Sequence, residues 1–145
     1  MHHDPTRPDT PHRKLRAVAR ILAAASLAVD AYLHAHLAER YDAVSATISQ
    51  GTLFRTEAAI AALAALLVLV WRRALADAFA WIVAAGGLAA LLLYRYVDVG
   101  ELGPLPNMYE PAWFTDKNLV VITQVLALVA ASLLLLTRRR RRGHA

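Results

Sequence analysis

Apolar residues fall into four runs along the chain: Ile21–Leu37, Ala58–Trp71, Ala78–Tyr94 and Leu119–Leu136. The first run is interrupted by Asp30, His34 and His36. A bilayer core about 30 Å thick needs roughly 20 helical residues at about 1.5 Å each. Leu119–Leu136 nearly meets that length alone, and Ala78–Tyr94 does so with Leu75, Ala76 and flanking residues. Ala58–Trp71 needs Leu53–Glu57 as well, which carries Arg55 and Glu57 towards the membrane. A chain of 145 residues cannot hide four such helices in a soluble core. The pattern predicts an all-α membrane protein, a four-transmembrane-helix bundle with spans near 17–38, 53–71, 75–95 and 117–137.

Punctuation between the runs sets the organisation. Residues 1–14 carry three prolines among polar residues and read as a disordered basic arm. Residues 15–137 form the transmembrane domain, and 138–145 form a frayed basic tail. Trp71-Arg72-Arg73 predicts a tight turn that makes an antiparallel hairpin of the second and third helices. Gly100–Asn107 contains two glycines and two prolines, which break a helix repeatedly. Tyr109–Phe114 follows with aromatic rings suited to a membrane interface. The segment is expected to cap one mouth of the bundle, with Asp98, Glu101, Asn107, Tyr109, Glu110 and Trp113 as its polar and aromatic groups. Gly86-Gly87 and the alanine-rich faces of the first two helices predict close helix approach.

Composition agrees with a membrane protein: 58% of residues are apolar and 19% charged, against about 45–50% and 25% in soluble domains. The net charge of +5 is concentrated at the two ends of the chain, so it marks topology rather than nucleic-acid binding, for which no folded reading domain is present. Lys and Arg crowd the N-terminal arm, the 71–77 turn and Arg138–Arg142, whereas the other two connectors mix Arg or Lys with Asp and Glu. Positive flanks stay cytoplasmic. Both termini are therefore expected inside and both longer, acidic loops outside, in a bacterial plasma membrane. A cleavable signal peptide competes for the first run, but Val29-Asp30-Ala31 is a poor cleavage site and no clean small-x-small pair follows. An uncleaved first helix is the favoured reading.

Counting from the helix ends puts several polar residues at one depth. Asp30 lies roughly 15 Å above Arg20, and His34 stands one turn higher on the same face. Glu57 lies roughly 21 Å above Trp71, Gln124 falls in the same layer, and Arg95 tops the third helix. Intramembrane ionisable groups are functional candidates by default. Asp30, His34, Glu57, Arg95 and Gln124 could form a proton or cation relay, a metal site, or a polar pocket for a quinone or a lipid head group. The plainer expectation is an ion pair of Asp30 or Glu57 with Arg95, fixing helix register without chemistry. No metal is assigned: His34 and His36 point to nearly opposite faces, and a third ligand from Glu57 to join Asp30 and His34 is conjecture. Haem would need a second copy or a partner. No cofactor can be named.

Arg138, Arg139, Arg140, Arg141 and Arg142 read as a topology anchor after the last span, and are also able to attract anionic lipid head groups at about 1 kcal/mol each. With no cysteine, the chain has no disulfide, thiolate metal site or Cys nucleophile. It also lacks HExxH, GxSxG and a phosphate loop, so common catalytic designs are disfavoured.

The stretch Tyr94-Arg95-Tyr96-Val97-Asp98-Val99-Gly100-Glu101-Leu102-Gly103-Pro104-Leu105-Pro106-Asn107-Met108-Tyr109-Glu110-Pro111 resembles small four-span membrane proteins of actinobacteria. Tyr41–Gly51 is similar to their first outer loop. That resemblance implies the fold and no activity; arginine and alanine richness fits a GC-rich source. DoxX-like proteins are similar in topology alone. Small multidrug transporters also have four spans with an acidic residue in the first, but this chain's strong charge bias and long outer loops depart from them. Three function classes follow. The first is a structural or accessory subunit, as a homo-oligomer or within a larger membrane complex. The second is a small transporter or proton-coupled channel using Asp30 and Glu57. The third is a redox or lipid-modifying enzyme with a pocket under residues 100–114. Convergence of the polar residues on a cavity favours the second or third; a closed pair with Arg95 and no cavity favours the first.

Overall fold

A computed structural model of the chain describes residues 11–143. Its elements are α1 (Pro11–Ala38), a 3-10 turn (Glu39–Tyr41), α2 (Gln50–Val70), α3 (Ala74–Tyr96) and α4 (Thr115–Arg142). Among the described residues there is no β-strand, only the isolated bridges Ser45–Ser49 and Leu102–Leu105. At about 1.5 Å per residue even α2, with 21 residues, is about 31 Å long. All four helices are long and apolar enough to cross a membrane.

Two boundaries differ from expectation. The first helix begins at Pro11, inside the segment read as a disordered arm, because proline's fixed φ and missing N–H suit a first helical turn. The rest of that arm, residues 1–10, lies outside the described residues. α4 continues through Arg142 instead of fraying after Thr137, where cations favour the negative end of the helix dipole. Beyond it only Gly143 is described.

The helices form a ring in chain order. α1 packs on α2 and α4, α3 packs on α4 and more loosely on α2, and the α1–α3 diagonal touches little. The middle of the bundle is almost all small or aliphatic: Ala23, Leu27, Ala61, Ala64, Val68, Ala80, Ala130 and Leu134 are wholly buried. Alanines at these contacts let the backbones approach, as small residues do between membrane helices. The outer surface is also apolar, with Val18, Ile21, Val29, Leu63, Leu66, Ile82, Ile122 and Val129 exposed. So broad an exposed apolar surface is a liability in water. On helices of this length it is a lipid-facing surface, and the chain is a multi-pass membrane protein with a four-helix core.

Of the glycine pair in α3, only Gly87 serves close approach. An added Cβ there would lie 2.5 Å from Gln124 Nε2 and 3.1 Å from Glu57 Oε1, whereas at Gly86 it would meet nothing within 4 Å. A third glycine matters more to the fold. At Gly51 an added Cβ would come within 2.5 Å of the Ala38 carbonyl oxygen, so glycine lets the start of α2 cross the end of α1.

One end of the bundle holds α1's start, the 71–73 turn and α4's end, and it is pinned by charge. Arg20 bonds to the Val68 carbonyl at 2.7 Å and to Asp77 Oδ1 at 3.1 Å. Arg138 bonds to Asp77 Oδ2 at 3.0 Å and to the Arg72 carbonyl at 3.1 Å. Asp77 is wholly buried. Both carboxylate oxygens thus accept from guanidinium groups on two other helices. This joins α1, α3 and α4 and keeps a buried charge paired, as burial demands. Arg16 adds a bond to the Leu134 carbonyl at 2.9 Å and another to the Thr137 hydroxyl.

Candidate ligand cavity beneath the loops

The opposite end is built from the 42–49 and 97–114 connectors. Ser49 caps α2, its hydroxyl accepting from the Thr52 backbone N–H at 3.0 Å. The two connectors meet where the Ile48 N–H donates to the Pro104 carbonyl at 3.0 Å. Gly100 and Gly103 take positive φ, at 68° and 58°, which lets the second connector fold back on itself. Asp98 Oδ1 accepts from the Gly100 N–H at 3.1 Å and from the Asn107 amide at 3.0 Å. Lys117, at the start of α4 and nearly buried, donates to the Glu110 carbonyl at 2.6 Å and to the Ala112 carbonyl at 3.1 Å. Glu110 Oε2 in turn accepts from the Tyr41 hydroxyl at 2.8 Å. The second connector is therefore tied to the 3-10 turn after α1 and to α4 as well as to the first.

Below this cap lies a cavity of about 540 Å³. Its walls are mostly apolar, with Leu37, Leu53, Phe54, Ile60, Leu91 and Phe114 among them. His34 and Glu57 supply polar groups from within the bundle, and Tyr41, Gln50, Glu110 and Lys117 supply them towards the loops. Two lining residues, Ile60 on α2 and Leu93 on α3, are also exposed on the outer surface. These two helices are the most loosely packed pair of ring neighbours.

Of the five intramembrane polar residues expected to share a layer, His34 and Glu57 line this cavity, Asp30 adjoins His34 and Gln124 adjoins the lining residue Gly87, and Arg95 is elsewhere. His34 Nδ1 lies 3.0 Å from the Asp30 carbonyl oxygen and 3.3 Å from Asp30 Oδ1. The hydrogen bond is to the carbonyl, and the carboxylate oxygen stays near without one. A carbonyl oxygen only accepts, so Nδ1 is the donor in that bond. The ring packs edge-on against Phe54, 5.3 Å between centroids. Glu57 and Gln124 converge on Gly87 from α2 and α4. Glu57 Oε1 and both amide atoms of Gln124 are buried without a hydrogen-bond partner among the described residues.

Arg95 stands apart. Its guanidinium lies over the rings of Tyr96 and Trp113, at 4.9 Å and 5.1 Å. The expected pair of Arg95 with Asp30 or Glu57 is not among the ion pairs of the described residues: His34 is the side chain beside Asp30, and Tyr96 at the end of α3 together with Trp113 of the cap holds the guanidinium at the helix end. His36 is exposed and stacks on Tyr32 instead, 5.9 Å between centroids. No group of three or more His, Asp or Glu side chains suited to a metal ion occurs among the described residues.

Arg55 of α2 donates to both oxygens of Asp42 in the first connector, at 2.7 and 2.8 Å. This guanidinium holds the Asp42 carboxyl below its ordinary range. Sequence reasoning missed three of these features: the Asp77 bridge, the Tyr41–Glu110 contact and the Asp42–Arg55 pair. The first had a usable signal, since an acidic residue in a helix's opening turn follows the dipole and Arg20 lies at the same bundle end. The other two join residues that no local pattern links. No family model, curated protein or solved structure matches this chain.

Proposed function

We propose that the protein is a ligand-binding membrane subunit, and that the cavity beneath the loops holds an amphipathic molecule with an apolar body and a compact hydrogen-bonding head. The observation that carries this reading is the cavity itself. About 540 Å³ of mostly apolar space with a few convergent polar groups is the usual make-up of a small-molecule site. The loosely packed α2–α3 seam, with the lining residues Ile60 and Leu93 exposed, suits a ligand arriving from lipid. The partnerless atoms of Glu57 and Gln124 beside Gly87 suit a head group that both accepts and donates hydrogen bonds. A quinone or a lipid head group meets these terms. With positive flanks inside, the cavity lies in the outer half of a bacterial plasma membrane and the loops face outward.

A through-channel is the weaker reading. Between the His34–Glu57 layer and the Arg20–Asp77 bridge the bundle is filled by Leu27, Ala64, Val68 and Ala130, all wholly buried. Among the described residues Ser26 is the buried polar residue of α1 between Arg20 and Asp30, and the mostly apolar filling around it disfavours a path for protons or cations. A role as an accessory subunit is compatible with ligand binding, because a partner could hand a ligand over at the α2–α3 seam.

The test is purification in mild detergent, extraction of whatever co-purifies, and its identification by mass spectrometry, for wild type and for Ala90→Phe. Ala90 lines the cavity, so the larger ring fills it. Wild type should yield a stoichiometric lipophilic compound that Ala90→Phe lacks while keeping its melting temperature. An identical extract from both proteins would remove the cavity from the account.

A further inference from the structure

Two carboxyl groups stand at the bundle side of the loop-end cavity. Glu57 lines it from α2, and Asp30 adjoins the lining residue His34 on α1. Asp30 is 1% exposed, and Asp30 Oδ1 and Glu57 Oε1 are both buried without a hydrogen-bond donor among the described residues. A buried carboxylate ordinarily keeps a cation beside it. The cations of the described residues at this end of the molecule are engaged elsewhere. Arg55 is held by Asp42, Arg40 lies 3.6 Å from Asp116, and Arg95 covers the rings of Tyr96 and Trp113. Lys117 donates to two backbone carbonyls and lies 3.9 Å from Glu110 Oε2. Only His34 remains, and its ring, even when protonated, offsets one of the two carboxylates. Glu57 itself is in none of the ion pairs of the described residues.

Two further features point to a ligand. Gln124, 1% exposed, keeps both amide atoms without a partner beside Glu57. The two side chains meet at Gly87, a lining residue with no side chain of its own to cover them. A head group that only accepts hydrogen bonds would leave the Glu57 oxygen unmet, whereas one that donates would satisfy it. The second feature is aromatic. The rings of Tyr41, Phe54, Tyr94 and Phe114 all line the cavity, and the faces of such rings attract cations.

We propose that the ligand of this cavity is a lipophilic amine. Its protonated amino head donates to Glu57, with the Asp30 charge close behind His34 and aromatic rings around it, and its apolar body lies along Leu37, Leu53, Ile60 and Leu91. An ammonium supplies both things the protein lacks there, a positive charge and N–H donors, and a hydrogen bond between charged groups is the stronger kind. This narrows the chemistry of the ligand and rests on the reading of the cavity as a ligand site.

The experiment is native mass spectrometry of the detergent-purified full chain titrated with dodecylamine, dodecanol and dodecanoate, which share one chain and differ in the charge of the head. Wild type should bind dodecylamine about tenfold more tightly than dodecanol, the share of a hydrogen bond to a charged group, and dodecanoate least of all. Glu57→Gln keeps the shape of the side chain and removes its charge, so the advantage of the amine over the alcohol should disappear. Asp30→Asn should shrink that advantage by a smaller factor. Melting temperatures show whether each variant is folded, and the wild-type preference for the amine needs no variant at all. Ala90→Phe should abolish binding of amine and alcohol alike. Dodecanol binding to wild type as tightly as dodecylamine would overturn the amine head, as would a preference for the amine that survives in folded Glu57→Gln. Dodecanoate binding best would do so too, with Lys117 and His34 then setting the charge of the site. In these three cases a block by Ala90→Phe would leave the cavity standing as a ligand site; binding of none of the three probes in an Ala90→Phe-sensitive manner would remove both readings.

Discussion

Asp77 holds Arg20 and Arg138 from a wholly buried position, so neutralising it leaves two cations facing a low-dielectric interior. Asp77→Asn should destabilise the bundle by about 3–5 kcal/mol, as removing one partner of a buried pair does; thermal unfolding in detergent would measure it. The exposed Asp42–Arg55 pair behaves differently. Its folded-state carboxyl lies below the ordinary value, so its contribution is complete above the unfolded-state pKa of about 3.9. That contribution fades as pH falls through the lower folded-state value. Wild type and Asp42→Asn should therefore differ little in melting temperature under acid, and any difference at neutral pH should shrink with salt. Glycines give a further contrast. Gly51→Ala drives a methyl group against the Ala38 backbone carbonyl and should cost about 1–3 kcal/mol, while Gly86→Ala, with open space around it, should be tolerated.

At the scale of elements, the four apolar runs announced α1 to α4 because length and composition suffice for a membrane helix. Partners across the bundle were not legible in the same way. Counting residues put Asp30, His34, Glu57 and Gln124 at one depth, but depth leaves rotation about each helix axis undetermined. Arg95 shows the consequence: it was expected to face Asp30 or Glu57, and it lies over Tyr96 and Trp113 instead. The uneven burial of the helices was also hidden. α1 is the most buried of the four, which explains how the run most broken by polar residues can be the one the others pack around. The cap depends on single anchors. Lys117→Met would remove both bonds from the Lys117 ammonium to the 110–112 backbone. Amide exchange over residues 97–114 should then accelerate while exchange in the four helices stays unchanged.

For the molecule as a whole, two polar layers are separated by an apolar plug. The layer at the loop end borders an open cavity, and the one at the other end is closed on Asp77 and fringed by arginines. A bundle serving only as an anchor would gain nothing from orphaned polar atoms beside a cavity, whose burial is costly; a binding site uses them. Because the chain has no cysteine, introduced thiols can map this arrangement without background labelling. The most direct measurement is labelling of single-cysteine variants at Glu101, Ala90, Ala80 and Arg141 in intact cells, with a membrane-impermeant maleimide and then with a small permeant one. Glu101→Cys should react with the impermeant reagent, and Arg141→Cys should do so only after permeabilisation. Ala90→Cys should react with the permeant reagent and be protected by a lipophilic ligand, and Ala80→Cys, wholly buried, should stay unreactive. Impermeant labelling of Arg141→Cys in intact cells would contradict the orientation, and an Ala90→Cys as inert as Ala80→Cys would contradict the cavity.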